Sequence, residues 1–192
     1  MTFRATLAYD GSAYQGFQRQ AGDTPTIQLA LERAIAAVTG QVVTVNGAGR
    51  TDSGVHAVGQ VIAFDVDWSH SPHDLLRAVN AHLPDDIALQ DIRWQDGFHP
   101  RYDALARCYR YTVIQSAQRQ PLWRNFAWWV RQPLDVVRMQ QAADLLRGRH
   151  DFAAFGQPPQ GENTVRELFR SGWTNADEAF GTRLVYEVEG TA

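Results

Sequence analysis

The sequence predicts an α+β protein built from two ferredoxin-like (RRM-like) units with mainly antiparallel sheets, and three observations carry that expectation. Short runs with two-residue apolar alternation recur along the chain. Between them lie segments whose apolar residues repeat every three to four positions, the helical period. In the first half these elements follow the order β-α-β-loop-β-α-β, which places helices on one face of a mostly antiparallel sheet. The predicted units are 1–95 and 96–192.

The chain opens on alternation: Phe3, Ala5, Leu7 and Tyr9 against Arg4, Thr6 and Ala8, a half-buried strand that stops at the turn Asp10-Gly11-Ser12. Thr24 and Pro25 read as helix N-cap and first helical residue. Ile27, Leu31, Ala34, Ile35 and Val38 then share one face, and Gly40 ends the run. Val43 and Val45 alternate with Val42 and Thr44 ahead of a glycine-rich loop, 47–58. Ile62 and Phe64 alternate with Val61 and Ala63 after it, so both flanks read as strands. Ser71-Pro72 opens a second helix with Leu75, Leu76, Val79 and Leu83 inward, and Ile87 to Trp94 returns as a strand.

In the second half, Leu105 to Ile114 reads as a strand with Arg107, Tyr109 and Tyr111 on one face and Cys108, Arg110 and Thr112 on the other. Cys108 and Tyr111 are expected to pack in the interior. Trp123, Phe126, Trp128 and Trp129 form an aromatic-dense stretch suited to a core or a dimer interface. Leu134 to Leu146 reads as a third helix ended by Gly148, with Val136, Met139, Ala143 and Leu146 on one side. His150 is expected to be packed and Asp151 to cap. Gln157 to Asn163 reads as a loop, followed by strands Val165 to Trp173 and Arg183 to Val188 around a turn near Asn175-Ala176-Asp177.

Composition narrows the class. With 192 residues, 44% of them hydrophobic and 20% charged, the chain is globular, and its single cysteine, Cys108, allows no internal disulfide. No apolar run approaches a membrane span and the N-terminus has no signal-peptide profile, so a cytoplasmic protein is expected. The net charge is −3, yet from Arg93 to Arg149 ten arginines face only Asp96, Asp103, Asp135 and Asp144. All eighteen basic residues are arginine. That usage suits bidentate phosphate contact and equally reflects a compositional bias.

The chemistry concentrates in Gly47-Ala48-Gly49-Arg50-Thr51-Asp52-Ser53-Gly54-Val55-His56-Ala57-Val58. The glycines allow close backbone approach. Asp52, two residues after Arg50, reads as a carboxylate kept ionised by charge pairing and held away from bulk water, fit to act as nucleophile or base. The plain alternative is a turn in which Asp52 bonds its own backbone.

This string closely resembles the active-site motif of the TruA-type tRNA pseudouridine synthases, with Asp52 at the place of that family's catalytic aspartate. Two more segments are similar to family motifs. Tyr9-Asp10-Gly11-Ser12-Ala13-Tyr14-Gln15-Gly16-Phe17-Gln18-Arg19-Gln20 is one, with Phe17 where tryptophan is more usual. Phe98 to Tyr111, holding His99, Arg101, Arg107, Tyr109 and Tyr111, is the other, and His150 to Phe155 resembles a fourth. The resemblance implies the pseudouridine synthase fold with a central cleft, and isomerisation of uridine in the anticodon stem-loop of tRNA. It implies Asp52 as catalytic residue, Tyr109 as the ring that stacks on uracil, and Arg50, Arg101 and Arg107 as substrate contacts. No cofactor and no metal are implied, and the full-length protein is expected to be a homodimer. In the family, the point where this chain ends at Ala192 leads into an apolar stretch and a helix whose basic residue pairs with the aspartate. A C-terminally truncated chain with an incomplete second unit is therefore expected. An RNA-binding module without catalysis and a glycosidic hydrolase are the competing readings; the hydrolase usually needs two carboxylates, and the motif offers one.

Overall fold

A computed structural model describes residues 1–156 and 163–192. The predicted loop Gln157 to Asn163 thus lies, except for Asn163, outside the described residues. The chain divides into two compact units, Met1–Ala104 and Leu105–Ala192, so that residues 96–104 group with the first. Among the described residues the structure is α+β, with three α-helices and two mainly antiparallel sheets.

In the first unit, β1 (Thr2–Tyr9) buries Phe3, Ala5, Leu7 and Tyr9, as alternation predicts. It lies between β3 (Ala57–Asp65) and β4 (Ile87–Trp94), antiparallel to both, and β2 (Asn46–Gly47) adds to β3, giving the order β2-β3-β1-β4. Helices α1 (Ile27–Thr39) and α2 (Pro72–Asn80) close the apolar face. Ile27, Leu31, Ala34 and Ile35 from α1 and Leu75 and Val79 from α2 join the sheet residues in one core.

Two sequence expectations are corrected here. Helix α1 begins after Thr26, not Thr24, because the Thr26 hydroxyl accepts the Leu29 N–H at 3.3 Å while the Pro25 carbonyl is taken by the Gln15 N–H. The stretch before the loop alternates in burial, with Val43 and Val45 buried and Val42 97% exposed, yet the ladder starts only at Asn46. The Val45 N–H is donated to the Glu32 carboxylate at 3.0 Å, a bond that replaces strand pairing.

The second unit holds β5 (Ala106–Gln115), β6 (Trp128–Val130), α3 (Val136–Leu145), β7 (Gly148–Asp151), β8 (Val165–Glu178) and β9 (Gly181–Thr191), in the sheet order β6-β5-β9-β8-β7. Only the β5–β6 pair is parallel. Its core is small: Val113, Val130 and Leu184, supported by Leu134, Val136 and Trp173. Helix α3 is fastened to β8, where Ser171 Oγ donates to the Ala143 carbonyl at 2.7 Å and the Trp173 N–H to Gln140 Oε1 at 2.8 Å.

That cover does not reach the first half of β5. Tyr111, expected in the core, is 69% exposed; Cys108 is exposed as well, and so are His150, Phe126 and Trp128. The hairpin turn falls at Ala179-Phe180, since Asn175, Ala176 and Asp177 are themselves paired with Leu184, Arg183 and Thr182 in the ladder. On the face of the sheet bearing Cys108, Glu187 bridges Arg110 and Arg170, and Arg170 also reaches Glu189, an exposed ionic ladder of the kind that adds little stability.

Candidate active site

The loop 47–56 owes its shape to the segment that follows β1. Thr51 is gripped three ways. Its carbonyl accepts the Phe17 N–H at 2.9 Å, its hydroxyl lies 2.8 Å from the Tyr9 phenol, and its carbonyl oxygen passes so near Gly16 that a Cβ there would stand 2.8 Å away. One residue further on, the Asp52 carbonyl accepts the Val55 N–H at 3.2 Å. The Tyr14 carbonyl accepts both the Ser53 hydroxyl at 3.1 Å and the Gly54 N–H at 3.4 Å. Gly11 lies flat against Val55, whose carbonyl oxygen would be 2.0 Å from any Cβ placed at position 11.

The far end of the loop is set by His56. Its Nδ1 lies 2.9 Å from Asp10 Oδ1 and 3.2 Å from the Gly11 nitrogen. A single ring nitrogen cannot donate to one and accept from the other: unprotonated, Nδ1 accepts the Gly11 N–H, and protonated, it donates to Asp10, so either state ties the ring to the segment after β1. Two hydrogen bonds from Ser12 hold the Asp10 carboxyl below the usual carboxylate range, with His56 adding to the shift. Tyr14 is fixed in turn by its hydroxyl, which donates to Asp86 at 2.6 Å; burial and that carboxylate push its ionisation far above the ordinary phenol range.

The result is a cavity of about 340 Å³, of ligand-pocket size, lined on one side by Arg50, Thr51 and Asp52 and on the other by Gln18, Arg19 and Gln20. Asp52 and Arg50 are both exposed. The expectation that they form a charge pair shielded from water is not met: among the described residues Asp52 makes no ion pair. Its main chain is committed to the turn while its carboxylate is left open toward solvent, free to meet an incoming group.

Phe17 and Tyr14 pack in the first unit's core: the Phe17 ring is buried against Tyr9 and Gly47, and Tyr14 is partly buried against the same core. Arg101 is exposed in the segment whose main chain is wound around His99. In the second unit, Tyr109 is 57% exposed, and together with Arg107, Arg166, Leu168, Val188 and Gly190 it lines a concavity of about 240 Å³. A β-bulge at Phe169 lies beside it, a device that re-aims side chains near sites.

Three features of the site escape the sequence reading: the Tyr9–Thr51 bond, the Tyr14–Asp86 bond, and buried Glu32. Only Glu32 leaves a trace in the sequence, as a lone carboxylate beside the apolar stripe of α1.

A solvent-open aspartate on a glycine-rich loop, braced by the segment Tyr9 to Gln20, defines a carboxylate-bearing site of nucleotide size. Comparison with known proteins identifies the class: a tRNA pseudouridine synthase family profile matches residues 5–103, and the chain belongs to that family. It is 43% identical over 173 residues to the tRNA pseudouridine synthase A of Neisseria gonorrhoeae, covering 89% of this chain and 65% of that protein. It is 44% identical over 173 residues to the protein of that name from Agrobacterium fabrum, covering 88% of this chain and 65% of the relative, and 40% identical over 170 residues to that of Pseudothermotoga lettingae, covering 88% and 69%. The chain thus spans about two thirds of the length of these relatives. No described helix is long and apolar enough to cross a membrane.

Proposed function

We propose that the whole protein isomerises uridine to pseudouridine in tRNA, with Asp52 as the catalytic carboxylate. The observation that carries this reading is the Asp52 loop itself, held rigid from Thr51 to His56 yet presenting its carboxylate to an open cavity. The reaction breaks the bond between uracil N1 and the ribose C1′, turns the base, and joins C5 to C1′; the C5 proton leaves and N1 gains one. Nothing is transferred to or from a second substrate, so no co-reactant enters the balance.

A stacked base cannot reach a side chain on the protein surface, so the uridine is extruded at a cost of a few kcal/mol. Tyr109 supplies the ring on which the uracil stacks, and its exposure on β5 beside Arg107 supports that role. Arg50 steadies the nucleotide at the Asp52 loop, and Arg101 and Arg107 contact the backbone. Asp52 then acts at the sugar, either by adding to C1′ or by removing a sugar proton. By the family resemblance the target is the anticodon stem-loop and the protein works in the cytoplasm as a homodimer; exposed Phe126 and Trp128 supply apolar surface for such an interface.

Tritium at uracil C5 of a tRNA substrate reports the step, because the isomerisation releases it. Asp52→Asn in the complete protein is expected to abolish release while sparing most tRNA binding. Turnover retained by that variant, or free uracil in place of isomerised tRNA, refutes the assignment.

A further inference from the structure

Glu32 is the one acidic side chain among the described residues that lies buried, at 6% exposure, and its carboxylate is satisfied by three N–H donors. Oε1 accepts Gln28 Nε2 at 2.8 Å and the Val45 N–H at 3.0 Å; Oε2 accepts Arg19 Nη1 at 3.0 Å. Gln28 also takes the main-chain N–H of Arg19 on its Oε1 at 2.8 Å, so Arg19 is held at both ends. Burying a carboxylate is costly unless it is paired and hydrogen-bonded, and here the pairing is spent on a residue that lines the Asp52 cavity. The Arg19 side chain remains about half exposed (52%). With Nη1 turned to Glu32, its other guanidinium N–H groups have no protein acceptor among the described residues. A long cation is normally mobile on a surface; this one is fixed in place.

We infer that Arg19 is a phosphate-binding residue on the wall of the Asp52 cavity, taking an RNA backbone phosphate beside the reacting nucleotide, and that Glu32 is its positioning residue. The inference rests on reading that cavity as the RNA site. A guanidinium pinned through one nitrogen keeps its planar fork oriented, which suits a phosphate oxygen pair and costs little ordering when RNA arrives. Glu32 also receives the Val45 N–H, so the same carboxylate fixes the chain leading into the catalytic loop relative to Arg19.

The test uses the complete protein, steady-state tritium release, and binding of an anticodon stem-loop RNA across a range of salt concentrations. Arg19→Gln is expected to raise KM about 10-fold while lowering kcat less than twofold. The slope of log affinity against log salt should fall by about 0.7 to 0.9, the loss of one phosphate contact, and Arg19→Lys should restore that slope. Glu32→Gln should raise KM in the same direction and add nothing on top of Arg19→Gln, since both act through one contact. Unchanged KM and salt slope in Arg19→Gln overturn the proposal. So does a Glu32→Gln effect that persists in full without Arg19, which makes Glu32 an element of the fold alone. If the wild type releases no tritium, the isomerase reading fails, while the salt slopes still decide the phosphate contact.

Discussion

The phenol of Tyr9, at the buried end of β1, lies 2.8 Å from the hydroxyl of Thr51, the residue immediately before Asp52. The last core residue of the central strand is therefore wired to the Asp52 loop across 42 positions of sequence. Burial pushes the Tyr9 phenol upward in pKa, only partly offset by its bond to Thr51.

Tyr9→Phe keeps the ring in the core and removes this link alone. It should destabilise the protein by about 1 kcal/mol, read as a lower urea midpoint at unchanged m-value. Turnover should fall about 10-fold, because the loop next to Asp52 loses its anchor. Wild-type kcat in the variant would mean that the Phe17 N–H bond to Thr51 suffices to hold the loop.

Gly11→Ala, at a buried position, is expected to be strongly disruptive. The new Cβ would sit 2.0 Å from the Val55 carbonyl oxygen, main chain that cannot swing aside as a side-chain tip can. The loop must lift away from β1, at a cost of several kcal/mol on the scale of severe overpacking, about 1 to 3 or more. Gly54→Ala serves as control: no atom lies near its would-be Cβ, and only its φ of +78° opposes the change, at roughly 1 kcal/mol. Circular dichroism melts of the two variants should rank them in that order.

Much of this architecture is legible in the sequence. Alternation finds β1 because it has one face on the core and one less buried, while β3 also buries Ala63 on its other face and β4 shifts phase between Leu89 and Ile92; Gly40 ends α1 with a φ of +70° as its position suggests. The failures have local causes. A threonine two residues on, rather than Thr24, found the free N–H to cap α1, and Val45 gave its N–H to a carboxylate thirteen residues away. In β5 the shared face of Tyr109 and Tyr111 is legible from alternation but the exposure of Tyr111 is not, since α3 covers the sheet only around Val113 and Leu184. The glycine-rich loop was recognised from its residues. Its bracing was not, because Tyr9, Tyr14 and Asp86 reach it or its supports through long-range hydrogen bonds that leave no periodic trace.

The Asp10 carboxyl gives the loop an acid-side dependence. Its folded pKa is depressed, chiefly by the Ser12 hydroxyl, relative to about 4 in an unfolded chain. The sign follows: its contribution is present above that unfolded value and is lost as pH falls through the folded one. Wild-type stability should therefore rise with pH over the acid range up to about 4 more steeply than that of Asp10→Asn, and the two slopes should coincide above it. Urea unfolding of both proteins at a series of acidic pH values measures the difference. Parallel curves throughout would show that the Ser12 and His56 contacts are not formed in solution.

Phe17 and Gly47 make a packing pair that a double-mutant cycle can isolate. The Phe17 ring is buried, and a Cβ at Gly47 would meet its Cε1 at 2.7 Å and its Cζ at 2.9 Å. The obstacle is steric, not conformational, because Gly47 has no positive φ. Gly47→Ala alone should cost about 1 to 3 kcal/mol by forcing the ring off its seat between Tyr9 and the loop. Phe17→Leu removes the two ring atoms in question and leaves room, so in that background the same alanine should cost less than about 1 kcal/mol. The coupling would place the rim of the Asp52 loop on the aromatic that occupies position 17. Additive costs would instead trace the Gly47 penalty to Gly49, whose carbonyl oxygen lies 3.2 Å from the same Cβ position.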